Sequence, residues 1–331
     1  MWPEPKGPGA PDSEVGPTAT RDKVGRGEAP AKAILLGEHA VVYGQPAIAV
    51  PLPQLRARVQ ARFDSKLDDL VIETPGKGQV ISLRRDPRQP LALAASLACR
   101  TLGLTPSFLR LRLDSAVPIA SGLGSGAAVS TAIMRALADL LGKALSPEQL
   151  SDLVYEVEKL HHGTPSGIDN TVVAHQQPVY FRKGEPAEFL QLPAPLLLLV
   201  ADTGVSSVTR EAVASLRRAR EEDPEGVNRK LAAIGDLVGH AREALIAADW
   251  QELGHLLDAN HAILAELRLS SPELERLIAA ARGAGALGAK PTGAGRGGHA
   301  IALVTSESEA SATLAMVDAG ARRVTLCRVE P

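Results

Sequence analysis

The segment Pro118–Ala127 (PIASGLGSGA) constrains this chain more than any other. It follows Leu109–Leu113, where alternation of leucine and arginine predicts a strand with Leu109, Leu111 and Leu113 on one face. It precedes Ser125–Leu141, whose apolar spacing predicts a helix ending at Gly142. Glycines at 122, 124 and 126 let backbone N–H groups approach a ligand with no side chain in the way. A helix start adds unpaired N–H groups and partial positive charge, so the segment reads as a phosphate cradle. Ser121 and Ser125 add hydroxyls for phosphate or Mg2+. Gly122-x-Gly124-x-x-Ala127 also fits the dinucleotide fingerprint superficially. That fold needs a strand after the helix, whereas Ser146-Pro147-Glu148 opens a second helix running to about His161. A Walker loop would need a lysine that is not there, and a plain turn of small residues remains the bland reading.

A second glycine loop spans Lys290–His299 (KPTGAGRGGH), and here the strand follows the loop. That order suits a backbone wall pressed against a ligand or another loop. A tight hairpin would explain two of its glycines but hardly four. Five polar residues stand near breaks in the pattern. Lys32 begins a buried strand, Glu38-His39 follow that strand, Glu158 nears the end of a helix, and Asp169 follows the break HGTPSG (162–167). Singly each reads as structural. Acidic residues beside a phosphate loop are natural Mg2+ ligands, and phosphoryl transfer needs a group to handle the acceptor hydroxyl proton. The break could fold Glu158 and Asp169 toward one site.

The rest of the chain sets the frame. Strands are expected at 31–37, 45–50, 55–63, 69–73, 196–201, 300–304 and 321–328, with helices at 91–102, at 306–319, and three or four between 207 and 282. Strand-rich then helix-rich order argues for an α+β fold in two lobes, taken as 30–183 and 184–331. Residues 1–29, rich in Pro, Gly and charge, read as a disordered leader. A net charge of -2 and 3% aromatics argue against nucleic acid as a partner. No apolar run approaches a membrane span and no signal peptide is visible, so a cytoplasmic location is expected. The two cysteines, Cys99 and Cys327, have no metal or redox spacing and read as free thiols.

Four motifs in order then carry a resemblance. Ala29–Gly44 (APAKAILLGEHAVVYG) resembles the first motif of the mevalonate kinases in the GHMP kinase superfamily. Pro118–Ala128 is similar to the superfamily's ATP motif, His162–Asn170 (HGTPSGIDN) to the motif bearing the family's aspartate, and Thr292–Gly298 to its third motif. The resemblance implies a two-lobe GHMP kinase fold, with an N-terminal lobe of the small-subunit ribosomal-protein type, a ferredoxin-like C-terminal lobe, and a site in the cleft between them. It implies transfer of the ATP γ-phosphate to the 5-hydroxyl of mevalonate. Asp169 would be the catalytic carboxylate, with Lys32 beside it. Pro118, Ser121, Gly122, Leu123, Gly124, Ser125 and Gly126 would hold ATP with Gly293, Ala294 and Gly295. Glu38, His39, Ser166, Gly167, Thr209 and Thr292 would face mevalonate, with a weaker claim for Thr203, and Glu158 and Ser125 would hold Mg2+. The family often forms dimers, so a homodimer is an assembly the resemblance allows.

Four positions depart from the family pattern. Gly126 stands where a metal-contacting serine is usual, Arg296 where glycine is common, His299 where a small residue or cysteine is common, and Pro291 where leucine is usual. Arg296 would either meet phosphate or point into solvent. Other kinases of the superfamily, acting on phosphomevalonate or another mevalonate hydroxyl, are the nearest alternatives. A silent metabolite-binding regulator is the alternative of a different class, opposed by intact Lys32, Glu158 and Asp169.

Overall fold

A computed structural model of the chain describes residues 23–118, 121–162, 165–206 and 209–331. The N-terminal part holds β1 (Val24–Leu36), β2 (Ala47–Phe63), β3 (Leu70–Thr74), β4 (Gln79–Ser82), α1 (Pro90–Leu102), β5 (Leu109–Ser115), α2 (Ser125–Leu140), α3 (Pro147–His162), α4 (Ile168–His175), β6 (Val179–Phe181) and β7 (Glu188–Phe189). These strands form one sheet in the order β4-β3-β5-β2-β6-β7, with β1 along the other edge of β2. Only β3 and β5 pair in parallel among them.

The C-terminal part runs β8 (Leu196–Asp202), α5 (Thr209–Glu222), α6 (Pro224–Ala247), α7 (Trp250–Glu266), α8 (Pro272–Gly283), β9 (Gly288–Thr292), β10 (His299–Leu303), α9 (Glu309–Asp318) and β11 (Arg323–Val329). Its antiparallel sheet has the order β11-β8-β10-β9, the ferredoxin-like arrangement. Period-2 alternation divides its faces. Leu199, Ala201, Ala300 and Ala302 pack against Leu277, Ile278 and Met316 of α8 and α9. Leu196, Leu198, Val200, Ile301 and Leu303 turn the other way and join the N-terminal core.

Order begins earlier than the sequence suggested. The strand expected from Ala31 starts at Val24 and pairs with β2 from Val24 against Arg62. Residues 1–22 of the expected leader lie outside the described residues. The glycines that made 24–29 look disordered serve close packing instead. A Cβ on Gly25 would lie 2.2 Å from the Ala136 carbonyl oxygen, and one on Gly27 2.2 Å from that of Ala132, both on α2. This strand therefore lies directly on the helix that the first glycine loop opens.

The strands expected at 45–50 and 55–63 are one strand, β2. Pro51 and Pro53 cannot donate to a ladder, and the register with β1 shifts where Ala31 faces Leu52 but Pro30 faces Arg56. The irregularity absorbs the prolines without ending the strand. α4 was not foreseen: the HGTPSG break leads directly into it. Both cysteines are free and buried, and burial pushes each thiol up to about 12.

Gly27→Val should lower stability by about 2 kcal/mol or more, since backbone atoms of α2 occupy the space a side chain would need. Thermal unfolding followed by circular dichroism checks this, and an unchanged midpoint contradicts the close strand–helix contact.

Candidate active site

The first glycine loop is set by three near neighbours. Gly122 and Gly293 touch at the backbone, because a Cβ on Gly293 would lie 2.6 Å from Gly122 Cα. A Cβ on Gly124 would lie 2.9 Å from Lys32 Cγ. One on Gly126 would lie 2.7 Å from Glu158 Oε1. Gly122 and Gly124 also have positive φ, 80° and 69°. Gly124 is the N-cap of α2, so no N-cap side chain bonds the helix's first amides.

Lys32 fixes this loop to β1. Its backbone N–H donates to the Leu123 carbonyl at 3.0 Å. Its Nζ donates to the Gly122 carbonyl at 2.9 Å and lies 3.1 Å from Asp169 Oδ1. The Lys32 side chain is 3% exposed and that of Asp169 33%, so the ammonium is buried beneath a carboxylate that faces open space. Asp169 sits in the first turn of α4, where the helix dipole favours a negative charge. Asn170 binds α4 to α3 through Nδ2, which donates to the Ser151 carbonyl at 3.2 Å and Oγ at 2.9 Å.

Glu158 and Asp169, separated by the helix break, therefore come to one site. α3 is started by a capping box, with Gln149 N–H donating to Ser146 Oγ and Ser146 N–H to Gln149 Oε1. It delivers Glu158, buried, against the α2 N-terminus. Burial raises the Glu158 carboxyl to about 7, the Asp169 charge adds to this, and Lys32 opposes it. Such crowding of two carboxylates suits a hard divalent cation. Ser125, half-exposed, is the first residue of the same helix.

The second loop is both of the things its sequence suggested. It closes the β9–β10 hairpin, with His299 opposite Thr292, and it presses on the first loop. His299 Nδ1–H donates to the Ser121 carbonyl at 3.2 Å. The Ser121 hydroxyl donates to the Pro118 carbonyl at 2.8 Å and so closes the first loop on itself. The Thr292 hydroxyl accepts from Ile34 N–H at 3.0 Å and donates to the Ile34 carbonyl at 3.1 Å, so it ties the loop to β1. Ala294 is buried and Gly295 has a φ of 75°. Arg296 donates to Ser215 Oγ of α5 at 2.8 Å, a partner neither expectation for it included. Thr203 donates through Oγ1 to the Gly298 carbonyl at 2.9 Å.

Glu38 and His39 occupy an unusual turn. His39 has φ 63° and ψ −47°, and Ala40 N–H reaches back to the Glu38 carbonyl at 2.7 Å. This is a γ-turn of the rare, strained hand. Both side chains are buried, and Glu38 Oε2 and His39 Nε2 lack partners among the described residues. Burial lowers His39 to about 4, with Lys290 and Arg296 contributing and the backbone of Ala294 and Gly293 opposing, so its ring is neutral near pH 7. Lys290, fully buried, pairs with Glu38 Oε1. Sequence reading noted Lys290 only as the edge of a loop, because its pairing with Glu38 is a tertiary contact with no local trace. Ser166 Oγ accepts from Ile168 N–H at 3.4 Å, and Gly167 caps α4 with φ 98°. Thr209 opens α5, its side chain outside the described residues, as are Gly163 and Thr164.

A glycine loop opening a helix, a lysine–aspartate pair and a second carboxylate meet where the two α+β lobes join, an arrangement that suits a small-molecule kinase. Family models agree: GHMP kinases N terminal domain matches residues 90–176, and GHMP kinases C terminal matches 241–322. The chain is 38% identical over 325 residues to the mevalonate kinase of Pyrococcus horikoshii, covering 90% of this chain and 93% of that protein. It is 38% identical over 324 residues to that of Thermococcus gammatolerans, covering 90% and 94%. Among solved structures, L. major mevalonate kinase in complex with R-mevalonate superposes with a TM-score of 0.83 at 27% identity, covering 95% of this chain and 98% of that one. The chain belongs to the mevalonate kinase family of the GHMP kinases.

The folded protein holds the Glu158 proton more tightly than the unfolded chain, whose value is the ordinary 4.5. That contribution to stability is full below the unfolded value and is lost as pH rises through about 7. Glu158→Gln, which does not titrate, should therefore raise the ligand-free melting temperature more at about pH 8 than at about pH 5. Scanning calorimetry at both conditions tests this; an equal effect at both discards the buried-carboxyl assignment.

Proposed function

We propose that this chain transfers the γ-phosphoryl group of ATP to the 5-hydroxyl of mevalonate, releasing 5-phosphomevalonate and ADP. The observation that carries this reading is the Lys32–Asp169 pair lodged against the glycine loop, with Nζ also bonded to the Gly122 carbonyl. The amides at the start of α2 face the phosphates and hold them by hydrogen bonds and the helix field. Asp169, the exposed partner, meets the acceptor hydroxyl, orients its oxygen for in-line attack and takes its proton. Lys32 orients that carboxylate through their ion pair and offsets negative charge as the phosphoryl group moves. Glu38 accepts from a hydroxyl of mevalonate, and neutral His39 lines the same side.

Mg2+ bound with the nucleotide would neutralise phosphate charge. Glu158 is its main protein ligand in this reading, with Ser125 the hydroxyl on the same helix end. At Gly126, where relatives of the family usually have a serine, the Glu158 oxygen fills the space a side chain would take. The carboxylate thus approaches the helix end more closely than a serine at 126 would allow.

Asp169→Asn should reduce kcat by about 100-fold or more while leaving ATP affinity nearly unchanged. Coupled ADP release and nucleotide titration measure the two effects, and a variant that stays active removes Asp169 from the reaction. Phosphorus NMR of the product from a panel of acceptor alcohols tests the substrate. Turnover of phosphomevalonate but not mevalonate would overturn the assignment.

A further inference from the structure

We infer that Lys290 is a positioning residue: from the C-terminal lobe it braces the strained Glu38–His39 turn of the N-terminal lobe, so that the acceptor side of the site exists only across both lobes. This deepens the proposed function and rests on its placing of Glu38 and His39 toward the acceptor.

Several observations converge. A γ-turn of this hand persists only where its surroundings over-determine it. The chain leading into this turn, and the turn itself, are fixed by the other lobe. Upstream, Thr292 of β9 satisfies both backbone groups of Ile34. Next, Asn260 of α7 accepts weakly from Gly37 N–H at 3.4 Å. At the turn, the Lys290 ammonium bonds Glu38 Oε1 and donates to the Pro291 carbonyl at 2.7 Å. Two of these three holds come from β9, two residues apart and on the same side of the strand.

The pair is costly where it stands. Burial pushes the Glu38 carboxyl up and the Lys290 ammonium down, and only their mutual contact opposes both. Replacing such a pair with apolar groups is often neutral or stabilising, so fold stability alone is a weak reason for it. What the pair does supply is orientation. With Oε1 held by Lys290, Glu38 Oε2 is left buried and unpartnered, and His39 Nε2 on the adjacent residue likewise. Two buried polar atoms without partners on one strained turn are what a ligand with hydroxyl groups would satisfy. Lys290 itself touches Glu38, not that ligand.

The test uses the full chain as wild type, Lys290→Met and the double variant Glu38→Gln/Lys290→Met. The double variant removes the uncompensated carboxylate that could unfold the single one. In Lys290→Met, kcat/KM for mevalonate should fall about 100-fold, as expected for a misplaced binding group, with KM for ATP within about threefold. The double variant should regain the wild-type melting temperature without regaining acceptor kcat/KM. Amide exchange in residues 36–44 of the ligand-free protein should rise about tenfold in both variants, with no change in 125–140. Acceptor kcat/KM within about threefold of wild type in a folded variant, or unchanged exchange in 36–44, would overturn the role of Lys290. If wild type itself fails on mevalonate, the substrate reading falls, and the exchange measurement still decides the bracing role.

Discussion

One buried ammonium organises the candidate site. Lys32 is held by its own strand, and through three contacts it fixes the glycine loop at Leu123 and Gly122 and the start of α4 at Asp169. Those partners come from segments far apart in the chain. The strand itself is seated on α2 by residues without side chains, Gly25 and Gly27. Helix start, loop and aspartate are thus referred to one rigid element, as a reaction that depends on placement requires.

Charge in the cleft is arranged in unlike environments. Asp169 is the exposed half of its pair, whereas Glu38 and Lys290 are both sealed in. Glu158 sits between these extremes, raised to about 7 by burial and a neighbouring carboxylate. Three carboxylates within one site are therefore unequal: one accessible, one locked by an ammonium, and one poised to lose its proton when a cation arrives. Environments that differ this way let similar groups take different parts in one reaction.

Much of this was legible in the sequence. The glycine loop between an alternating strand and a helix marked the candidate phosphate site, because that geometry needs residue types that leave a local trace. The α+β class and most of the longer strands and helices followed from the same periodicities, whereas α4 and the short strands β4, β6, β7 and β9 did not. The meeting of Glu158 and Asp169 could only be entertained, since it rests on Asn170 binding Ser151 across two helices. Three features were hidden for physical reasons. Residues 24–29 looked disordered because glycine used for close packing has the same composition as glycine used for flexibility. β2 looked like two strands because its prolines are absorbed by a shift in register. Lys290 and the turn at His39 were invisible because a buried ion pair and a positive φ at a non-glycine residue arise from tertiary contacts alone.

The alternation along β8 and β10 has a mechanical consequence. One face of the C-terminal sheet belongs to α8 and α9, but the other shares a continuous apolar core with the N-terminal lobe. The polar links Thr292–Ile34, Lys290–Glu38 and His299–Ser121 cross the same boundary. Swinging one lobe against the other would expose Leu198, Val200 and Ile301 to water and break those links together. The boundary between the lobes is thus a seam in a single solid rather than a jaw.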